Sequence, residues 1–236
     1  MSSRSSFSMI RTFWRPWRKQ MRAPACCRST CSDDGGTDNR EALVEMVLAL
    51  LSVALAAEVL AAACVAFSVA FPDRRIWPPP RQHSWQSYFM WLLFAISAGG
   101  VVALGILDWS NLALARWIRL AVGAPLWLAG SGLALWAIVA LGFAPTLGSE
   151  DTLVRRGPYL FSRNPQYVGY IAALIGWAIL AASALTLLAA LAGAMALILA
   201  PFAEEPWLLK RYGSAYEKYR RAVPRFISLR MRSGVA

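Results

Sequence analysis

Long apolar runs alternate with short polar punctuation along this chain. The first run extends from about Ala42 to Phe71 and stops at Pro72-Asp73-Arg74-Arg75. The second covers about Tyr88 to Leu107 and the third about Leu120 to Phe143. Each reaches the roughly 20 residues that a helical bilayer crossing needs. Residues 168–202 are almost unbroken apolar sequence. One helix of that length would measure roughly 50 Å, well beyond a hydrocarbon core of about 30 Å. A hairpin turning near Ser183 fits instead, with two short spans, Tyr167–Ala182 and Leu185–Phe202. The expected fold is therefore all-α: a polytopic membrane protein with about five transmembrane helices, the last two a tight hairpin. Gly176, Ala181, Ala182, Ala190, Gly193 and Ala194 would let the two hairpin helices pack closely.

Composition supports this reading. The 236 residues are 58% hydrophobic and 16% charged, whereas a soluble domain carries about a quarter charged residues. The net charge of +11 is concentrated at the two ends: of 24 Lys and Arg, 8 lie in residues 1–40 and 8 in residues 203–236. That placement suits anionic lipid headgroups, and no nucleic-acid partner is expected. Residues 1–40, basic and Ser-rich, read as a disordered extension; a natural start at Met46 stays open. An odd span count puts two equally basic tails on opposite sides, which the positive-inside rule cannot satisfy at both. The C-terminal side is taken as cytosolic. Cys26, Cys27 and Cys31 lack a fourth zinc ligand at plausible spacing, the single histidine, His83, being far off, so free thiols and no metal are expected. Glu58, near the middle of the first span, should face other helices, as a structural acid or a tunnel group.

Two polar clusters carry the chemistry. One is Arg155-Arg156-Gly157-Pro158-Tyr159 through Arg163-Asn164-Pro165-Gln166-Tyr167, before the hairpin; the other is Glu204-Glu205 with Tyr212, Tyr216, Tyr219 and Val223-Pro224-Arg225, after it. A hairpin brings both to one membrane face. Asn164 suits an N-cap and Pro165 a first helical turn. The open N–H groups there attract a carboxylate or phosphate. Arg163 adds a fixed positive charge. Neighbours on a helix point about 100° apart, so one of Glu204 and Glu205 should face a pocket. Residues 206–221 read as an interfacial helix, with a break at Gly213 and a capping box Ser214-x-x-Glu217. A ligand with an anionic end, a cationic or hydroxyl-bearing part and an aromatic surface would suit the pair of clusters. S-adenosylmethionine has all three.

Gly157-Pro158-Tyr159-x3-Arg163-Asn164-Pro165-x-Tyr167-x-Gly169, then Glu204-Glu205-x2-Leu208, Tyr212-Gly213-x2-Tyr216-x2-Tyr219 and Val223-Pro224, resemble the isoprenylcysteine carboxyl methyltransferases and their phospholipid methyltransferase relatives. The resemblance covers about residues 140–226. It implies an integral membrane methyltransferase domain over 41–236, without a Rossmann fold. It implies S-adenosylmethionine as cofactor, held by Asp151, Thr152, Leu153, Val154, Tyr159, Asn164, Pro165, Gln166, Tyr167 and Glu204. Arg163 and Glu204 are the candidate catalytic residues, and a lipophilic methyl acceptor is the expected partner. The family's Arg-His-Pro is Arg163-Asn164-Pro165 here, which also resembles the Asn-Pro form of phospholipid methyltransferases. The Arg that eukaryotic prenylcysteine enzymes carry one turn before the acidic pair is Ala200. A phospholipid N-methyltransferase, an NADPH-dependent membrane reductase and a non-catalytic scaffold stay open as alternatives.

Overall fold

The computed structural model describes residues 34–81, 83–142 and 153–227. Among them the regular elements are helices. Helix α1 is Asp34–Ala70, α2 Trp85–Leu107, α3 Arg116–Leu141, α4 Pro165–Ala181, α5 Ala184–Tyr212 and α6 Ser214–Ala222, with short 3-10 turns at Pro72–Arg74 and Gly157–Leu160. The chain divides into two units, 1–44 and 45–236. The buried clusters and the cavity lie in the second. Residues 34–40, part of the stretch read as disordered, are helical; 1–33 lie outside the described residues. Asp38 and Glu41 stand near the start of that helix, where the macrodipole favours acids.

Four helices, α1, α2, α3 and α5, are long and apolar enough to cross a bilayer. Helix α4, with 17 residues, rises roughly 26 Å and is shorter than a full hydrocarbon core. Large apolar side chains such as Val59, Leu92, Leu128, Leu135 and Leu191 are exposed on these helices. Facing water they would form a patch no soluble protein tolerates; facing lipid they are at no cost.

The hairpin turns at the expected place. Ala182 closes α4 in a left-handed conformation at φ 50°. Ser183 caps α5, its Oγ accepting from Thr186 N at 3.0 Å and donating to Asp108 Oδ2 at 2.6 Å. This tip is buried, with Ser183 and Thr186 fully inaccessible, so its polar atoms must bond to one another or be costly. The second arm differs from the expectation. Helix α5 continues through Pro201 and Pro206 to Tyr212, and only Gly213, at φ 52°, ends it. Pro206 removes one helical hydrogen bond, but Glu204 and Glu205 on the preceding turn are anchored to other segments. The capping box also fails: the N-cap of α6 is Gly213, without a side-chain cap, and Glu217 pairs instead with Arg220 and Arg221.

The two hairpin helices pack against each other as expected, but Gly176 and Gly193 admit neighbours from other helices. A Cβ on Gly176 would collide with the backbone nitrogen of Trp127 on α3, and one on Gly193 would come within 2.6 Å of the Glu58 carboxyl on α1. Helices α3 and α4 approach through Gly130 and Gly169, where an added Cβ would sit 2.5 Å from Ala173 N and Ala134 N respectively. The neighbours there are backbone atoms, which cannot rotate away. Gly169→Ala should therefore destabilise despite its better helix propensity: overpacking costs about 1–3 kcal/mol against a propensity gain near 1. A lower unfolding midpoint in detergent is the expected readout; an unchanged or raised midpoint would contradict this packing.

Candidate functional site

The rim of the site is built by three segments that converge at one end of the bundle. The first is the loop after α1. Ser68 Oγ accepts from Ile76 N at 2.9 Å and from Trp77 N at 3.0 Å, and donates to Cys64 O at 2.7 Å. That knot folds the loop back over α1 and points Trp77 inward, against Phe94 at 5.3 Å between ring centroids. The second segment is residues 153–167, leading into α4. The third is the end of α5 with α6 and the tail to Ile227.

The third segment straps the second. Arg163 N donates to Pro224 O at 2.9 Å, and Asn164 Nδ2 to Arg225 O at 2.9 Å. Tyr219 Oη donates to Tyr159 O at 2.7 Å. Burial holds the phenols of Tyr159 and Tyr219 protonated, pushing both above the ordinary tyrosine range. Within the stretch read as an interfacial helix, Tyr216 and Tyr219 are buried.

The acidic pair divides its tasks. Glu204 lines the cavity and is held from two sides, accepting from Trp77 Nε1 at 2.7 Å and from Tyr167 Oη. Glu205 turns away. It pairs with Arg163 Nη1 at 2.9 Å, and accepts from Arg225 Nε at 2.6 Å and Nη2 at 2.7 Å. Arg225 also lies 4.0 Å over the Phe202 ring, and its bonds to Glu205 raise its basicity further. The polar clusters before and after the hairpin therefore meet, as the topology required.

Between these segments lies a cavity of about 590 Å³, within the usual range for small-molecule sites. Of the residues expected there, Leu153, Val154, Tyr159, Arg163, Asn164, Gln166, Tyr167 and Glu204 line it. Pro165 is buried at the start of α4 and is not in the lining. Asp151 and Thr152 lie outside the described residues. Asn164 sits at the N-cap but does not cap: its amide reaches across to Arg225, and no side chain caps α4 among the described residues. Pro165 has no N–H and Val168 N already donates to Asn164 O at 3.2 Å, so the open first-turn N–H groups of α4 are those of Gln166 and Tyr167, without a side-chain cap among the described residues. Arg163 Nε is buried without a hydrogen-bond partner among the described residues. Trp77, Trp91, Phe94, Tyr170 and Trp207 also line the cavity, and none was singled out from the sequence.

A helical membrane protein with an internal cavity, polar at one rim and apolar toward the bilayer, is the class these features define. Residues 118–215 match the family model for phospholipid methyltransferase. The match agrees with the resemblance in the motifs and supports a membrane methyltransferase of the phospholipid and isoprenylcysteine type. It spans α3, the hairpin and Glu204, and leaves out Glu58, Trp77 and Arg225. No curated protein and no solved structure matches the chain.

Proposed function

We propose that this protein transfers a methyl group from S-adenosylmethionine to a lipophilic acceptor. The observation that carries this reading is Glu204, held at the cavity wall by Trp77 and Tyr167 beside the Arg163–Asn164 rim. The donor set fits the cofactor on three counts. The uncapped first turn of α4 and the unpartnered Arg163 Nε can take its carboxylate. Glu204 can accept from its amine or hydroxyls. Leu153, Val154 and Tyr159 provide walls for its base, with Asp151, Thr152, Pro165 and Gln166 completing the expected set. S-adenosylmethionine, when bound, supplies an electrophilic methyl group on a sulfonium. Such a transfer needs positioning more than proton chemistry, and the residues here orient and exclude water. The rim is taken as the cytosolic side, and the acceptor approaches between helices from the bilayer.

Ala200, where prenylcysteine enzymes carry an Arg, is buried against Ala57 and Ala61 in the core. No guanidinium at that position waits for an acceptor carboxylate. The experiment that decides is incubation of native membranes with a radiolabelled methyl donor, followed by identification of the labelled lipid or protein. Saturable S-adenosylhomocysteine binding and a labelled lipophile are expected. Asn164→Ala, which frees the Arg225 carbonyl and loosens the strap, should weaken that binding by about tenfold, the worth of one well-made hydrogen bond. Absence of any binding by the wild-type protein would end the methyl-transfer reading.

A further inference from the structure

The cavity has a second polar place, remote from the rim. Glu58 on α1 and Ser97 on α2 both line it, and both are buried, at 5% and 7% exposure. Around them the lining is Phe94, Ala98, Leu174 and Leu197. The Glu58 carboxyl lies against Gly193 of α5, so closely that a Cβ there would come within 2.6 Å of Oε1. Gly193 precedes Glu204 on the same helix, which at 1.5 Å per residue sets the two acids roughly 16 Å apart along α5. Among the described residues, no Lys, Arg or His forms an ion pair with Glu58. Ser97 Oγ, although beside that carboxyl, makes no well-formed hydrogen bond there.

A carboxyl with no cationic partner among the described residues, and a hydroxyl beside it, are expensive to keep at bilayer depth. Packing does not require them, because an apolar side chain would fill the same volume at lower cost. What they offer is acceptor capacity at the end of an apolar cavity. We infer that Glu58 and Ser97 form a second binding subsite, which holds a hydrogen-bond-donating group, hydroxyl or ammonium, on a lipophilic ligand. Anionic groups are rejected there, since the carboxyl repels them and no cation among the described residues pairs with it. The glycine at 193 is the positioning element, because a Cβ there would crowd the carboxyl. That this ligand is the methyl acceptor rests on the function proposed above; that the subsite binds it does not.

The test uses the full chain in phosphatidylcholine nanodiscs and a tritiated long-chain alcohol. Unlabelled amine, alcohol, carboxylate and hydrocarbon of equal chain length compete for it. In the wild type, the amine and alcohol should compete at concentrations about tenfold or more below the other two, the worth of a hydrogen bond to a charged group. Glu58→Leu should abolish that preference. Glu58→Gln should keep the alcohol and lose the amine, and Gly193→Ala should weaken both by displacing the carboxyl. Competition by the alcohol alone in the wild type would assign a hydroxyl ligand; competition by both would admit an ammonium. S-adenosylhomocysteine binding at the rim should be unchanged in Glu58→Gln and Glu58→Leu, which also reports that they fold. Equal competition by all four probes, or a Glu58→Leu protein that still prefers donors, overturns the subsite. Loss of S-adenosylhomocysteine binding in the wild type as well would strike the function proposed above and leave this result standing.

Discussion

Glu204→Gln is expected to weaken S-adenosylmethionine binding by roughly ten- to a hundredfold, because hydrogen bonds to a charged group contribute about 1.5–3 kcal/mol. The carboxylate is inside the cavity wall, and Trp77 Nε1 and Tyr167 Oη both donate to it. Those two donors leave it lone pairs to accept from a ligand. The amide of Gln keeps the size and one acceptor oxygen, so insertion and folding should be normal. It removes the charge, and it presents an N–H toward whichever neighbour is itself a donor. Calorimetry with S-adenosylhomocysteine measures the loss, and thermal unfolding checks the fold. A variant that binds as tightly as the wild type would remove Glu204 from the site. Trp77→Phe supplies a companion measurement: it deletes one donor while leaving the charge, and should shift affinity in the same direction by a smaller amount.

Much of this was legible in the sequence, for reasons that can be named. Helix positions followed from run length, since a bilayer fixes the number of apolar residues a crossing needs. The meeting of the two polar clusters followed from connectivity: an apolar stretch too long for one span must double back, and its ends then share a side. The division of labour between Glu204 and Glu205 followed from helical geometry. What escaped was long-range. Trp77 meets Glu204 across 127 residues of sequence, and no local pattern records such a contact. Gly176 and Gly193 announced close packing, but a small residue does not say which neighbour it admits, and α3 and α1 were the answer in place of the hairpin's own partner. Asn164 has the side chain of a helix cap, yet the strap's Arg225 carbonyl lies within its reach and takes the amide. The tyrosines of α5 and α6 looked interfacial because an amphipathic stripe reads alike whether it faces headgroups or a cavity.

Glu205→Ala should cost about 3–5 kcal/mol, the range for stripping one partner from a buried pair, and so lower the unfolding midpoint by on the order of 10 °C. Arg163 and Glu205 have side chains only 9% and 10% exposed, so Arg163 would be left as a buried cation with little water to solvate it. Arg225→Ala should cost less, since that side chain is 32% exposed and Arg163 would still neutralise Glu205. Yet Arg225 is the link between the acid and the tail that straps residues 159–164. Its loss should therefore weaken S-adenosylhomocysteine binding more than stability. The joint substitution Arg163→Met with Glu205→Leu discriminates. It removes both charges and fills their volume, and replacing a buried ion pair by apolar groups of matched size is often neutral or stabilising. Recovery of the unfolding midpoint together with persistent loss of cofactor affinity would show that the ion pair is retained for the cavity wall, where Arg163 Nε has no hydrogen-bond partner among the described residues. If affinity recovers with the midpoint, Arg163 is a scaffold residue and its assignment to the site is wrong.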